Sequence, residues 1–267
     1  MIALLTFRAE KPPQAQPIAT VLANHFGAAA RIESASNSPT VTLSLGPLEA
    51  VIAPGAGPIP NEVVEPALAR AWYWPAARDT FADHLSHLAV IVKPSESSPK
   101  LRSLLLTRIT ALVGAAFDYT AVYYEPAGLV HSGAAFTESS RVMSEKELPL
   151  RLWIGFHLVA NADGSHSLHT TGLEPLGLME LEVRQSRRPK ENIYGWSFNI
   201  AHFLLEKGAV LKDGEAVGAN PREWIRIYHL PSAIEPTRTV YFLDLDLDEE
   251  LDAAQDSPSA ERSADGF

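Results

Sequence analysis

The chain of 267 residues contains no cysteine. Disulfides, thiolate metal sites and cysteine nucleophiles are therefore excluded. That composition is compatible with the cytoplasm, which is the expected compartment. Long apolar runs are also missing. Nothing approaches the ~18 consecutive apolar residues of a spanning helix, so no membrane span is expected. The opening residues MIALLTFRAEKPP have no basic leading region and only a short apolar run. They read as a buried strand, not as a secretory signal. Basic residues are scarce too: 22 Lys and Arg stand against 32 Asp and Glu, for a net charge of -10. From Asp244 to the end there are nine acids and one base, so 23 acids and 21 bases remain for the body. A nucleic-acid binder carries a basic patch or stripe. The short cluster Arg184, Arg187, Arg188 and Lys190 is all that resembles one, and no nucleic-acid partner is expected.

Nucleotide and nucleophile signatures are equally sparse. Gly172 and Gly177 have the spacing of a phosphate loop, but Leu178 and Met179 stand where Lys and Ser/Thr are required. The Gly-x-Ser-x-Gly elbow does not occur. His84 and His87 have helix-compatible metal spacing without a third ligand. No cofactor and no metal are expected.

What the chain does contain is ordinary globular material, 46% hydrophobic and 20% charged, enough for one large domain or two small ones. Residues 2–7 suit a strand covered on both faces. Pro17 sits near the start of an amphipathic helix that closes at Gly27. Residues 39–53 alternate about a Gly46-Pro47 turn and predict a hairpin. Asn61 is placed to cap a helix reaching Trp72. Residues 88–92 form an apolar strand. Ser97 or Ser98, with Pro99, opens a helix carrying Leu101, Leu104, Leu105, Ile109, Leu112 and Val113. Residues 121–124 form another strand. This order fits a ferredoxin-like sandwich with one extra βα element.

Residues 125–149 change to small and polar types and predict a connection with a short helix near 134–143. His131, Ser132 and Glu138 are its functional candidates, set against a plain solvated linker. Residues 150–159 predict a strand, and Asn161 to Gly164 a hairpin turn. Glu180 and Glu182 then share one face of a strand that begins near Met179. A helix over 192–207 stops at Gly208. Asp213-Gly214 makes a turn, and 224–229 and 240–245 are strands. The expected class is α+β: two ferredoxin-like-type α/β sandwich halves with helices packed on mostly antiparallel sheets. The expected divisions are 1–125, a connecting segment 126–149, a second half 150–246, and an acidic disordered tail 247–267.

Two surfaces stand out. Trp72, Tyr73 and Trp74 run consecutively before Pro75, so they cannot all face one core. They are the candidate partner-binding residues, because Trp and Tyr are favoured interface anchors, although the edge of a core would also hold them. Glu180, Glu182 and His169, with His166 nearby, offer an acid–base or metal cluster. A solvated sheet face would carry the same carboxylates.

The stretch HTTGLEPLGLMELEV (169–183), followed by NIAHFLLEKGAVLKDGEAVG, resembles the bacterial family catalogued as domain of unknown function 4261. The resemblance rests on Thr171-Gly172, Gly177, Glu180, Asn199, Gly208 and Asp213-Gly214, and departs at Ala216-Val217. It implies a soluble bacterial protein, loosely associated with toxin-immunity and secretion contexts, and it assigns no activity. The favoured expectation is a non-enzymatic protein that binds a partner protein, as an immunity or adaptor protein would. The alternative is a hydrolase or metal-assisted enzyme using Glu180, Glu182 and His169.

Overall fold

The computed structural model describes residues 1–34, 38–220 and 223–246. The acidic segment 247–267 lies outside the described residues. The chain divides into two compact units, Met1–Gly155 with Thr170–Leu178, and Phe156–His169 with the residues from Met179 onward.

The first unit is built from β1 (Ile2–Phe7), α1 (Ala15–Phe26), β2 (Arg31–Glu33), β3 (Val41–Leu45), β4 (Leu48–Gly55), α2 (Asn61–Leu68), α3 (Ala77–Ala82), β5 (Ser86–Val92), α4 (Pro99–Phe117), β6 (Ala121–Tyr124), β7 (Leu129–Ser132), α5 (Gly133–Arg141) and α6 (Leu150–Trp153). Its strands form one sheet in the order β2-β3-β4-β5-β1-β6-β7, antiparallel throughout. Two crossovers interleave. The chain passes from β1 through α1 to β4 with β5 between them, and from β5 through α4 to β6 with β1 between them. That interleaving is the arrangement of the ferredoxin-like sandwich.

Alternation sorts the strands' side chains. Leu4, Ala121, Tyr123 and Val130 pack with Ile59, Val64 and Phe81 of the α2–α3 region. Ala3, Leu5, Val90 and Val122 point to the other face, where α4 supplies Leu105, Leu106 and Ile109; all are buried. Truncating a residue such as Leu5 or Leu106 to Ala costs about 2–5 kcal/mol. Helix α4 begins where Ser98 accepts a hydrogen bond from the Leu101 N–H and Pro99 takes the first turn, and it stops at Asp118 in a left-handed conformation.

Four local expectations differ from the structure. Arg31–Glu33 is a strand too short and too polar to show period-two alternation. Helix α2 has Pro60, not Asn61, at its cap position with no side-chain cap, and it ends at Leu68, so Trp72–Trp74 lie in the turns that follow. Within residues 126–149, β7 pairs with β6, and α5 buries Phe136. Residues 150–153 form a helical turn, and the strand begins only at Gly155.

The second sheet contains β8 (Gly155–Ala160), β9 (His166–Thr171), β10 (Leu181–Ser186), β11 (Glu215–Asn220), β12 (Glu223–Pro231) and β13 (Thr239–Asp244), with helix α7 (Lys190–Lys207). Strand order is β11-β12-β13-β10-β9-β8. β10 and β13 run parallel, while β10–β9, β11–β12 and β12–β13 are antiparallel. Leu168, Leu181, Val183, Ile227, Tyr241 and Leu243 share the face toward α7, which buries Ile193, Ile200, Ala201 and Leu204. The α+β class, with helices packed on mostly antiparallel sheets, is what the structure shows. Among the described residues, no helix is long and apolar enough to cross a membrane.

Candidate functional site

Glu182 is a carboxylate of the second unit with four hydrogen bonds. It sits at the second position of β10 on the face away from α7 and is only 3% exposed. Its Oε1 accepts the Ser232 hydroxyl. Its Oε2 accepts the Ala233 N–H at 3.1 Å, Arg184 Nε at 3.0 Å and Arg184 Nη2 at 2.8 Å. Arg184 Nη2 also donates to the Pro231 carbonyl at 2.6 Å, and its guanidinium carbon lies 5.3 Å from the centre of the Phe242 ring. Burial raises the Glu182 pKa. The Ser232 hydroxyl, the Ala233 N–H and Arg184 outweigh that and hold it below the usual glutamate value. The carboxylate therefore stays ionised and its oxygens are occupied. A general acid needs a raised pKa and a free oxygen toward substrate; Glu182 has neither.

The hub pins the loop after β12. Ser232 accepts the N–H groups of Ile234 and Glu235 at 3.1 and 3.0 Å, and its own N–H donates to the Arg238 carbonyl at 2.8 Å. One hydroxyl thus ties the turn to β10. The expectation of a water-facing carboxylate pair is corrected here. Glu182 is held by Ser232 and Ala233 of the loop after β12, and Glu180 precedes the strand, where its carbonyl accepts the Tyr241 N–H at 2.9 Å.

His169 is the register partner of Glu182 on β9. Its ring stands 4.8 Å from that of His157 on β8, centre to centre. His166 pairs with Ser186 and lies on the opposite face from His169. The row therefore reads His157, His169, Glu182 across three strands. Among the described residues, no group of three or more His, Asp or Glu side chains is placed to hold a metal ion. Past Arg184, a bulge between Val183 and Ser186 puts Gln185 at φ +51. The bulge lets Ser186 turn back and donate to Asp246 Oδ1 at 3.0 Å.

The turn Thr170–Leu178 belongs to the first unit, and its glycine has a plain physical cause. Gly172 adopts φ +105, and a Cβ there would stand 2.0 Å from the Trp153 carbonyl oxygen and 2.9 Å from Ala127 Cβ. Beside it, the Thr171 hydroxyl donates to the Ala127 carbonyl at 2.8 Å. The Thr-Gly pair is a docking device for the backbone, not a phosphate loop.

The aromatic run separates into three environments. Trp72 is 74% exposed and Tyr73 43%. Their rings meet edge to face at 6.0 Å. The Tyr73 hydroxyl donates to the Val130 carbonyl on β7 at 2.8 Å, which fixes the ring. Trp74 is half-buried against Phe81. The three residues are adjacent, but only Trp72 and Tyr73 offer a surface.

The remaining candidates lie in the first unit. The Ile59 N–H donates to His84 Nε2 at 2.7 Å, so His84 is the tautomer whose Nδ1 donates to the Phe81 carbonyl. His87 Nδ1 bonds the Gly57 carbonyl at 2.8 Å. Both histidines anchor the loop before α2. Ser132 caps α5 by accepting the Ala135 N–H at 3.2 Å. Glu138 forms an exposed pair with Arg141. His131 is buried, and burial pushes its pKa down to about 4, opposed by a hydrogen bond from the ring to the Leu152 backbone carbonyl. Its Nε2 has no hydrogen-bond partner among the described residues. Ser232 and Ala233 were not legible as partners of Glu182, because nothing local marks a contact fifty residues away; Arg184, two residues along the same strand, read only as part of a basic cluster.

Residues 169–243 match the sequence profile of a family described as "Domain of unknown function (DUF4261)", which bears out the resemblance over that stretch. The matched region runs from the end of β9 into β13 and contains the whole Glu182 hub, while Trp72–Trp74 lie outside it. No curated protein and no solved structure matches the chain.

Proposed function

We propose that this is a non-enzymatic protein-binding protein that engages a partner protein through Trp72 and Tyr73. The observation that carries the reading is an indole 74% exposed beside a tyrosine whose hydroxyl is tied to the sheet. An exposed Trp held against a fixed ring presents a large apolar face at low cost in side-chain entropy, which is the composition of an interface hot spot. The occupied oxygens of Glu182 support the same reading, since the leading acid–base candidate is committed to holding a loop. A cytoplasmic immunity or adaptor protein of a bacterium, sequestering its partner, is the role we assign. The test is capture of a partner from source-cell lysate by the immobilised full chain and by Trp72→Ala. One stoichiometric partner that the variant fails to retain supports the reading. A partner retained equally by both, or none captured by either, overturns it.

A further inference from the structure

The two sheets present four edge strands, and an unguarded edge is a template for pairing with another strand. Three are guarded. β2 has only three residues and carries Arg31 and Glu33, which pair at 2.5 Å. β7 lies against α2 and α3, and Tyr73 occupies the Val130 carbonyl. β11 opens on Glu215, and its register with β12 shifts between Gly218 and Asn220.

β8 has none of these devices. Its sequence, GFHLVA, holds no Asp, Glu, Lys, Arg or proline. Val159 is 49% exposed, Ala160 is exposed, and Phe156 and Leu158 are half-buried. The hairpin sets which main-chain groups point outward. Gly164 N–H donates to the Asn161 carbonyl at 3.1 Å, and Asn161 N–H donates to the Ser165 carbonyl at 2.8 Å. Alternation from that closing pair directs residues 157 and 159 toward β9, and residues 156, 158 and 160 away from it.

We propose that β8 pairs with β8 of a second copy of this chain, antiparallel about a twofold axis through Leu158, and joins two six-stranded sheets into one. The side chains select this occupant. Centring on Leu158 places Leu158 opposite its own copy and Phe156 opposite Ala160. Phe156 is packed against Tyr194 and Phe198 of α7, with ring centres 5.3 and 5.7 Å away. A bulky ring thus meets the smallest side chain of the strand, twice by symmetry. With no Asp, Glu, Lys or Arg on β8, a copy brings no carboxylate, ammonium or guanidinium of its own against the strand, and neither an acidic nor a basic foreign peptide is favoured. This pairing does not use Trp72, so its failure leaves the partner-binding reading untouched.

The experiment uses the full chain. Light scattering after size exclusion is expected to give twice the 29.0 kDa chain mass at micromolar concentration. Ala160→Trp, at an exposed position, is expected to weaken the dimer at least tenfold with an unchanged circular dichroism spectrum. Because the chain has no cysteine, Leu158→Cys introduces a single thiol. Directly paired residues stand about 5.5 Å apart at Cα, inside the ~4.4–6.8 Å range of a disulfide. Mild oxidation is expected to link Leu158→Cys into covalent dimers at least tenfold faster than Val210→Cys. A chain monomeric to 100 μM or so overturns the proposal, as does Leu158→Cys linking no faster than the control.

Discussion

The Ser232 hydroxyl donates to Glu182 across fifty residues of chain, and through that bond a loop, a strand and an arginine become one unit. Removing one member of a buried ion pair leaves the other unpaired and costs about 3–5 kcal/mol when both are fully buried. The Arg184 side chain is 32% exposed, so Glu182→Gln is expected to cost about 2–3 kcal/mol. Ser232→Ala is expected to cost about 1–2 kcal/mol. Because both changes break the same contact, the double variant should fall short of the sum by about 1 kcal/mol. Urea denaturation of the four proteins measures the cycle. Additive losses would separate the two residues.

Gly172→Ala should be far more damaging than a surface glycine change. The added methyl meets a backbone carbonyl at 2.0 Å, in a conformation that L residues rarely adopt. Backbone cannot swing aside as a side chain can, so a loss above about 3 kcal/mol is expected. Gly164→Ala shares the positive φ but has open space around it, and it should lose only about 1 kcal/mol. Thermal melting of both variants gives the comparison.

His131 makes stability fall on mild acidification. Its folded pKa, about 4, lies below the ordinary histidine value of 6.5. The unfolded chain therefore takes up the proton first. The contribution is complete above pH 6.5 and is lost as pH falls toward 4, by about 3 kcal/mol at ~1.4 kcal/mol per pKa unit. Glu182 is depressed relative to an ordinary carboxylate, so its contribution is lost at more acid pH. His131→Phe should flatten the unfolding midpoint between pH 6.5 and 4.5 relative to the parent. An unchanged slope would place the acid sensitivity elsewhere.

Legibility followed sequence distance. The hairpins at Gly46-Pro47 and Asn161–Gly164, and the start of α4 at Ser98-Pro99, are written in adjacent residues, and each stands where the sequence puts it. The element order of residues 155–246 is legible for the same reason. Arg31–Glu33 is not, because an edge strand of three residues needs no apolar alternation. Leu150–Trp153 reads as strand from its apolar run, yet it is a single helical turn whose Trp153 Nε1 donates to Thr107 Oγ1 at 2.8 Å. The environment of Glu182 was hidden more deeply. A glutamate between Leu181 and Val183 looks like the water-facing member of an alternating strand until Ser232 and Ala233 fold over it. The exposure of Trp72 was legible as a constraint, since three consecutive aromatics cannot share one core. Which of the three is exposed depends on α2 ending at Leu68.

The most direct test of the partner-binding account is a photo-crosslinking amino acid in place of the exposed Ala69, three residues from Trp72, followed by a measured Kd for the crosslinked partner. The account predicts one crosslinked protein, and a purified partner that binds Trp72→Ala about thirtyfold more weakly than the parent, the loss of a hot spot of ~2 kcal/mol. A crosslinked partner whose Kd is unchanged by Trp72→Ala, or no crosslink at all, would contradict it.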